Sequence, residues 1–350
     1  VKTLIIDGEW NLKRNFMKRD VLFAKGEHCG GSFGFLESLR AVVNKTMPDR
    51  VVVMWDGIMG GKLRHDIYPK YKENRNKSWD ENSYMMDDYA IAEEEKKKYS
   101  ILQQKIKVKN YLEEFFIRQA EVDCIEADDL IALYTKMKMD DEQIIIFSSD
   151  KDYIQLVDEG VSVLRPSDDL VITKDNFKQT YGYTHENALA LRCFEGDVSD
   201  NISGVDGIAY KSITKYFPRF VDEPYTVDRI ISEAVEMYQA KKIKFFEKII
   251  GCRRTFERNK KLMDLRNPLV NEEAEKEVAD IRECIIALED EKYTQRSITN
   301  AAKMMVADGY NTLVWKENME FFLRPFYRLV AKEKEFTQKM NNTNLPDGQV

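Results

Sequence analysis

Three short apolar runs, each closing on an aspartate, set the rhythm of the first 150 residues. Thr3-Leu4-Ile5-Ile6 stops at Asp7-Gly8, Arg50-Val51-Val52-Val53-Met54-Trp55 stops at Asp56-Gly57, and Ile144-Ile145-Ile146-Phe147 leads through Ser148-Ser149 to Asp150. Unbroken apolar runs of this length predict strands covered on both faces. Helical patterns fall between them, around Gly34 to Asn44 and from Ser100 to Arg118. Alternation of this kind predicts an α/β fold, a mostly parallel central sheet flanked by helices. In such sheets ligands gather beyond the carboxyl ends of the strands, where Asp7, Asp56 and Asp150 are expected to project. A further helix is marked by Leu130, Leu133, Tyr134 and Met137, spaced as one apolar stripe. Glu126 lies four residues before Leu130 and Asp129 four before Leu133, so both acids extend the buried face at its N-terminus. Asp128 stands in the same turn.

Any one of these acids has an ordinary explanation, as a first-turn residue favoured by the helix dipole or as a turn residue after a strand. Glu126, Asp128, Asp129, Asp150 and Asp152 together, all at ends of buried elements, do not. Like charges sharing a site raise one another's pKa and destabilise the fold unless a cation joins them. Oxygen-only ligands point to Mg²⁺ or Mn²⁺. The pattern predicts a divalent-metal site.

Between Gly60 and Lys109 the alternation breaks. Arg64, His65, Tyr68, Lys70, Tyr71, Lys72, Arg75 and Lys77 interleave cations with aromatics, and an acidic stretch then leads to Lys96-Lys97-Lys98. The segment is too long for an ordinary connection. A solvated helix accounts for Glu93 to Lys98; tyrosines among cations fit phosphate clamping and base stacking better. Val161 to Leu164 and Leu170 to Thr173 read as strands, and a helix is expected from Thr184 to near Glu195. Next, Gly196-Asp197-Val198-Ser199-Asp200 adds two acids, and Gly204-Val205-Asp206-Gly207-Ile208 forms a hairpin before a helix from Ala209 to Phe217. A turn that exposes backbone amides at a helix start suits a duplex phosphate backbone. Residues 225 to 261 read as helical and basic, with Lys241, Lys242, Lys244, Lys248, Arg253, Arg254, Arg258, Lys260 and Lys261. A charged outer face and a duplex-contacting surface suit that composition equally. Further helices are expected from Ile281 to Lys339, then a frayed tail from Asn341.

Length, at 350 residues, suggests about two domains. Five cysteines without a C-x-x-C pair and three scattered histidines argue for reduced thiols and against a zinc framework. No apolar run approaches about 18 residues and no secretory leader is seen, so a soluble, cytoplasmic chain without a membrane partner is expected. The net charge of −7 speaks at first against nucleic acid.

Taken in order, Asp7-Gly8, Asp56-Gly57 with Arg64, Tyr71-Lys72-x-x-Arg75, Glu126-Ala127-Asp128-Asp129, Ser149-Asp150-Lys151-Asp152 and Gly196-Asp197-x-x-Asp200-Asn201-Ile202 form a series that resembles the flap endonuclease and 5′→3′ exonuclease family, in its bacterial and bacteriophage form. The likeness runs from residue 1 to about residue 217. It implies one metal near Asp7, Asp56, Glu126, Asp128 and Asp129, and a second near Asp150, Asp152, Asp197 and Asp200. It implies that Lys72 and Arg75, helped by Arg64, steer the scissile phosphate from a helical arch, and that Tyr71 offers a stacking surface. Gly204, Val205, Gly207 and Lys211 then belong to a helix–hairpin–helix that grips duplex DNA with a bound K⁺. Here Ala209 follows Gly207-Ile208 where the family usually has glycine. The domain expectation is an α/β nuclease core over residues 1–182 with an arch insertion at about 60–110. A helical DNA-binding region follows over 183–280, then a C-terminal extension over 281–350.

Setting the nine site carboxylates aside turns the balance from −7 to +2, so the charge does not exclude DNA. The expected activity is Mg²⁺-dependent in-line hydrolysis of phosphodiesters at 5′ ends or flaps of DNA or RNA-primed DNA. Two ions about 3.5–4 Å apart would share the scissile phosphate. Further expectations are a monomer in the host cytoplasm of a phage, with replication proteins as partners of the extension. Other readings fit less well. A haloacid-dehalogenase-type phosphatase needs an aspartate where Glu9 stands and a threonine where Asn11 stands. A PIN-type ribonuclease lacks the arch and hairpin, and a non-catalytic scaffold for branched DNA has no use for the full acid set.

Overall fold

The computed structural model describes residues 1–74, 88–283, 297–314 and 318–343. The chain forms two compact units, one of Val1–Ile58, Asp88–Ser148 and Val270 onward, the other of Met59–Asp87 and Ser149–Leu269.

The first unit is built on strands β1 (Lys2–Asp7), β4 (Arg50–Asp56), β5 (Arg118–Val122) and β6 (Gln143–Phe147), with a small hairpin of β2 (Phe23–Ala24) and β3 (Glu27–His28). The four longer strands run in the order β5-β4-β1-β6, all parallel. Ile5 lies opposite Val52 on one side and Ile146 on the other. Leu4, Ile5, Ile6, Val52 and Val53 are completely buried, as the apolar runs predict. Helices Gly8–Lys18, Gly30–Thr46, Asp88–Glu114, Ala127–Lys136 and Glu272–Glu283 flank the sheet. Among the described residues no helix is long and apolar enough to cross a membrane.

Strand β5 departs from the sequence reading, which carries a helix through to Arg118. The helix ends at Glu114 and Phe116 takes a left-handed turn (φ 58°). Arg-Gln-Ala-Glu-Val has no apolar run, because it stands at the end of the strand order and alternates buried with half-buried side chains. The helix before it starts at Asp88, and its later part carries the fully buried Val108, Tyr111 and Leu112. Residues 75–87 of the expected insertion lie outside the described residues, as do Cys284 and the tail from residue 344 on.

The described residues of 297–314 and 318–343 belong to this same unit. Phe326 stacks on Phe115 with ring centroids 4.0 Å apart, and Phe322 stacks on Phe33. Tyr310 shares a 2.6 Å hydrogen bond with Ser32, and the Tyr111 hydroxyl donates to Asp308 at 2.6 Å.

The second unit holds the antiparallel pair β7 (Val161–Arg165) and β8 (Leu170–Ile172), and the two-residue strands β9 (Gly196–Asp197) and β10 (Ile202–Ser203). Its helices include Ala188–Glu195 and Tyr210–Tyr216. The basic stretch is three helices, Val227–Lys241, Lys244–Gly251 and Arg253–Met263, interrupted at Lys242 (φ 49°) and Cys252. Buried amides tie these pieces together. Gln155 donates to the Met263 carbonyl and accepts from the Leu265 amide, while Asn259 donates to the Cys193 and Ser203 carbonyls.

A buried charge network fastens helix Glu272–Glu283 to the first unit. Arg50 and Arg118 donate to the Arg282 and Ile281 carbonyls at the helix end, satisfying groups the helix leaves open. Arg282 in turn pairs with Glu142 at 2.5 Å, and the Thr3 hydroxyl donates to the other Glu142 oxygen at 2.6 Å. Burial alone pushes the Glu142 carboxyl up, but Thr3 and Arg282 outweigh it and hold it below its ordinary 4.5. Removing one partner of such a pair leaves a buried charge uncompensated, so Arg282→Met is expected to cost about 3–5 kcal/mol in urea unfolding at pH 7. A depressed carboxyl stabilises the fold above its unfolded pKa and loses that contribution as pH falls through the folded value. The difference between wild type and variant should therefore shrink below pH 4.5; a constant gap down to pH 3 refutes the assignment.

Candidate metal centre

Each acid in the first unit is set by the element that carries it. Asp7 closes β1 and caps the helix that follows. One carboxylate oxygen accepts from the Trp10 amide at 2.9 Å and the other from the Ser148 hydroxyl at 3.3 Å. Asp56 closes β4 and reaches sideways, accepting from the Ala127 amide at 2.9 Å, the first residue of helix Ala127–Lys136. The reach depends on Gly57, whose amide donates to the Ile125 carbonyl and where a Cβ would lie 1.8 Å from the Val122 carbonyl oxygen. Glu126 is the N-cap residue of that helix; Asp128 and Asp129 are in its first turn. Glu126 and Asp129 are buried, and Asp128 accepts from the Asp129 amide at 2.8 Å. One carboxylate oxygen from each of Glu126, Asp128 and Asp129 lies within 4.8 Å of the others.

Three like-charged groups so close, two of them buried, suit a hard divalent cation, and every donor is oxygen, as Mg²⁺, Mn²⁺ or Ca²⁺ prefers. The set fits such an ion. The helix N-terminus beneath them adds positive potential that favours their ionised form.

The second unit carries its own four acids. Asp150 accepts from the Asp152 amide at 2.8 Å, which closes the turn after the third apolar run. Asp197 accepts from the Ser199 amide and hydroxyl at 2.8 and 2.6 Å. Arg192 bridges the two pairs, with Nε 2.7 Å from Asp152 and Nη2 2.7 Å from Asp197. Burial and then the charge of Asp150 push Asp152 up to about 6 against the pull of Arg192. Asp197 goes the other way: burial raises it, but the Ser199 hydroxyl and Arg192 hold it below the usual range.

Asp200 faces the segment Lys70–Asn74. The Lys72 amide donates to the Asp200 carbonyl at 2.9 Å, the Tyr71 hydroxyl lies 3.2 Å from its carboxylate, and the Lys72 ammonium lies 4.0 Å away. Asn201 donates to the Lys70 carbonyl and Asn74 to the Val198 carbonyl. Lys72 and Asn201 both adopt left-handed backbone, with φ 54° and 57°.

The other residues expected to meet substrate are placed as follows in the second unit. Tyr71 is buried against Ile202, Leu262 and Met263. Arg64 is buried as well and donates to the Leu262 carbonyl at 2.8 Å. Arg75 lies outside the described residues. In the hairpin, the Val205 amide donates to Phe194 and the Ile208 amide to Val205, so both are engaged internally. Gly204 packs where a Cβ would lie 2.2 Å from the Glu195 carbonyl oxygen; Gly207 has φ 75° and Lys211 is exposed. Among the basic side chains, Lys248 is held by Asp206, Arg253 by Asp228 and Arg258 by Ser203, while Lys241, Lys242, Lys244, Lys260 and Lys261 are exposed.

Sequence reasoning gave no role to Arg192, Ser148 and Asn74. A signal for the first was present: a lone arginine in the apolar run Ala188-Leu189-Ala190-Leu191, followed by Cys193-Phe194, needs a buried partner.

The family model for the 5′-3′ exonuclease N-terminal resolvase-like domain matches residues 2–182. A 5′-3′ exonuclease of Buchnera aphidicola (subsp. Schizaphis graminum) is 28% identical over 219 residues, 62% of this chain and 70% of its own. In structure, the T5 5′-exonuclease with bound divalent metal ions (zinc) is similar at a TM-score of 0.63 and 19% identity, covering 81% of this chain and 99% of its own. The bacteriophage T5 flap endonuclease, in a pseudo-enzyme-product complex with DNA and metal ions, matches at a TM-score of 0.59 and 16% identity, over 95% of this chain and 100% of its own. At those identities the structural likeness is one of fold. The matched domain spans more than half of the sequence and contains the strands that end in Asp7 and Asp56 and the helix that begins at Glu126, so the chain belongs to the 5′-3′ exonuclease family.

Proposed function

We propose that this chain is a structure-specific, Mg²⁺-dependent 5′ nuclease that hydrolyses phosphodiesters at 5′ ends and flaps of DNA, and of RNA-primed DNA, during replication or repair. The observation that carries the reading is the Glu126, Asp128 and Asp129 cluster, two of its members buried and its oxygens within 4.8 Å of one another, in a chain of this family. Asp7, Asp56, Glu126, Asp128 and Asp129 would hold one ion; Asp150, Asp152, Asp197 and Asp200 would hold a second, and Mn²⁺ could replace Mg²⁺ at both. When bound, such ions supply Lewis-acid stabilisation of phosphoryl charge and lower the pKa of water.

The chain's own groups do the rest. Asp7 and Asp56 each give one oxygen to a helix N-terminal amide, which fixes where their other oxygen points. Lys72, with Arg75, meets phosphate charge; its backbone is pinned by Asp200, so its side chain starts from a fixed root. Arg64 assists Lys72 and Tyr71 offers the stacking surface; the Lys72 ammonium lies 4.8 Å and the Arg64 guanidinium 6.0 Å from the centre of the Tyr71 ring. Gly204, Val205, Gly207 and Lys211 hold the duplex backbone with K⁺, joined by the exposed lysines of the basic helices. Specificity then resides in shape, a held duplex and a free 5′ end, with no base read directly. The setting is a phage-infected host cytoplasm and the form a monomer. Residues 281–350 are offered to replication proteins, Phe321 and Tyr327 being half-exposed there.

A 5′-labelled flap, a nicked duplex and an RNA-primed duplex, each with and without Mg²⁺, test the reading together. Cleavage in Mg²⁺ of all three is expected, and no cleavage of any removes it. Asp128→Asn should lose more than the roughly 10–100-fold typical of an outer partner of a metal ligand, while duplex binding in Ca²⁺ persists; a variant that cleaves normally misplaces the ion. For Lys72→Ala, the slope of log affinity against log salt should flatten by about 0.9, and an unchanged slope takes Lys72 off the phosphate.

A further inference from the structure

Arg192 sits on helix Ala188–Glu195 between the buried Leu191 and Cys193, and its side chain is only 15% exposed. From there its guanidinium touches two acids that come from different elements, the short helix Asp152–Leu156 and β9. Nε meets Asp152 and Nη2 meets Asp197, both at 2.7 Å, while Nη1 donates to the Gly196 carbonyl at 3.3 Å. The remaining oxygen of Asp197 accepts from Ser199. A guanidinium keeps its charge at every working pH and its planar fork suits two acceptors at once. Two of the four acids assigned to the second ion are therefore already held by a cation that belongs to the chain.

We propose that Arg192 is a positioning residue and a built-in counter-charge for this group, a role that rests on the metal reading given above. It keeps Asp152 and Asp197 in place while no ion is bound, and it opposes the ion by holding an oxygen of each. Coupling of this kind is reciprocal: what the cation gives the empty site it withholds from the filled one. The second ion is accordingly held less tightly than the four carboxylates alone would hold it, and it exchanges readily. A lysine in the same place would keep the charge but not the fork, and would reach one acid only.

Calorimetric titration of the full chain with Mn²⁺, in an Asp128→Asn background that weakens the other group, separates the possibilities. Arg192→Met should tighten the remaining Mn²⁺ binding by about 5-fold or more, with Arg192→Lys in between. Thermal unfolding supplies a second readout. In EDTA, Arg192→Met should lower Tm by about 5 °C or more, and the loss should be recovered by Mn²⁺ or by adding Asp152→Asn, which removes the stranded charge. If Arg192→Met does not fold in EDTA, folding restored by either remedy supports the proposal and failure under both overturns it. Equal or weaker Mn²⁺ binding in the variant, or a Tm loss the same with and without Mn²⁺, also overturns it. Absence of Mn²⁺ binding to the unsubstituted chain would instead remove the metal reading itself.

Discussion

Carboxylates repel one another, and a protein that gathers them must give each a donor that does not move. Here the donors are mostly backbone amides. Asp7 takes the Trp10 amide, Asp56 the Ala127 amide, Asp128 the Asp129 amide, Asp150 the Asp152 amide and Asp197 the Ser199 amide. Amides at helix starts and tight turns are available because the helix or strand ladder leaves them open. Each therefore satisfies a group that would otherwise lack a partner and adds a fixed partial positive charge beside an anion. In the first unit Asp7 and Asp56 are aimed by the main chain, and the main chain there is aimed by the sheet.

That dependence explains why small residues sit where they do. Gly57 lets the end of β4 approach the β5 carbonyl at Val122, and the approach carries Asp56 across to the start of another helix. Gly8 lies against the Trp55 ring so closely that a Cβ would come within 2.6 Å of it. In both places the Asp-Gly pair is one device, an anion followed by a residue that can be packed against without a side chain.

The strand-end acids and the helix bearing Glu126 were legible because burial writes unbroken apolar runs and a 3.6-residue stripe into the sequence. Strand β5 was not, since its place at the end of the strand order lets Arg118, Gln119 and Glu121 stand in it. Sequence also reads side-chain type without direction. Arg64 and Tyr71 stand among cations and aromatics in the sequence, and nothing there shows that Arg64 donates to the Leu262 carbonyl or that the Tyr71 hydroxyl meets Asp200. Arg192 shows the opposite case: its place in an apolar run says that it needs a buried partner, but not that the partners are Asp152 and Asp197, 40 and 5 residues away.

The aromatic contacts of the last helices bear on how the chain is made. Ser32, Phe33, Tyr111 and Phe115 are among the earlier residues to leave the ribosome, and their partners Tyr310, Phe322 and Phe326 are among the later ones. Domains generally fold as units during synthesis, the N-terminal parts first. In this chain the sheet and its first helices emerge with an apolar face bare, and it stays so until about 200 further residues have been translated. The interval is a window in which a nascent chain needs shielding from its neighbours, and it closes only when helix Met319–Thr343 is delivered.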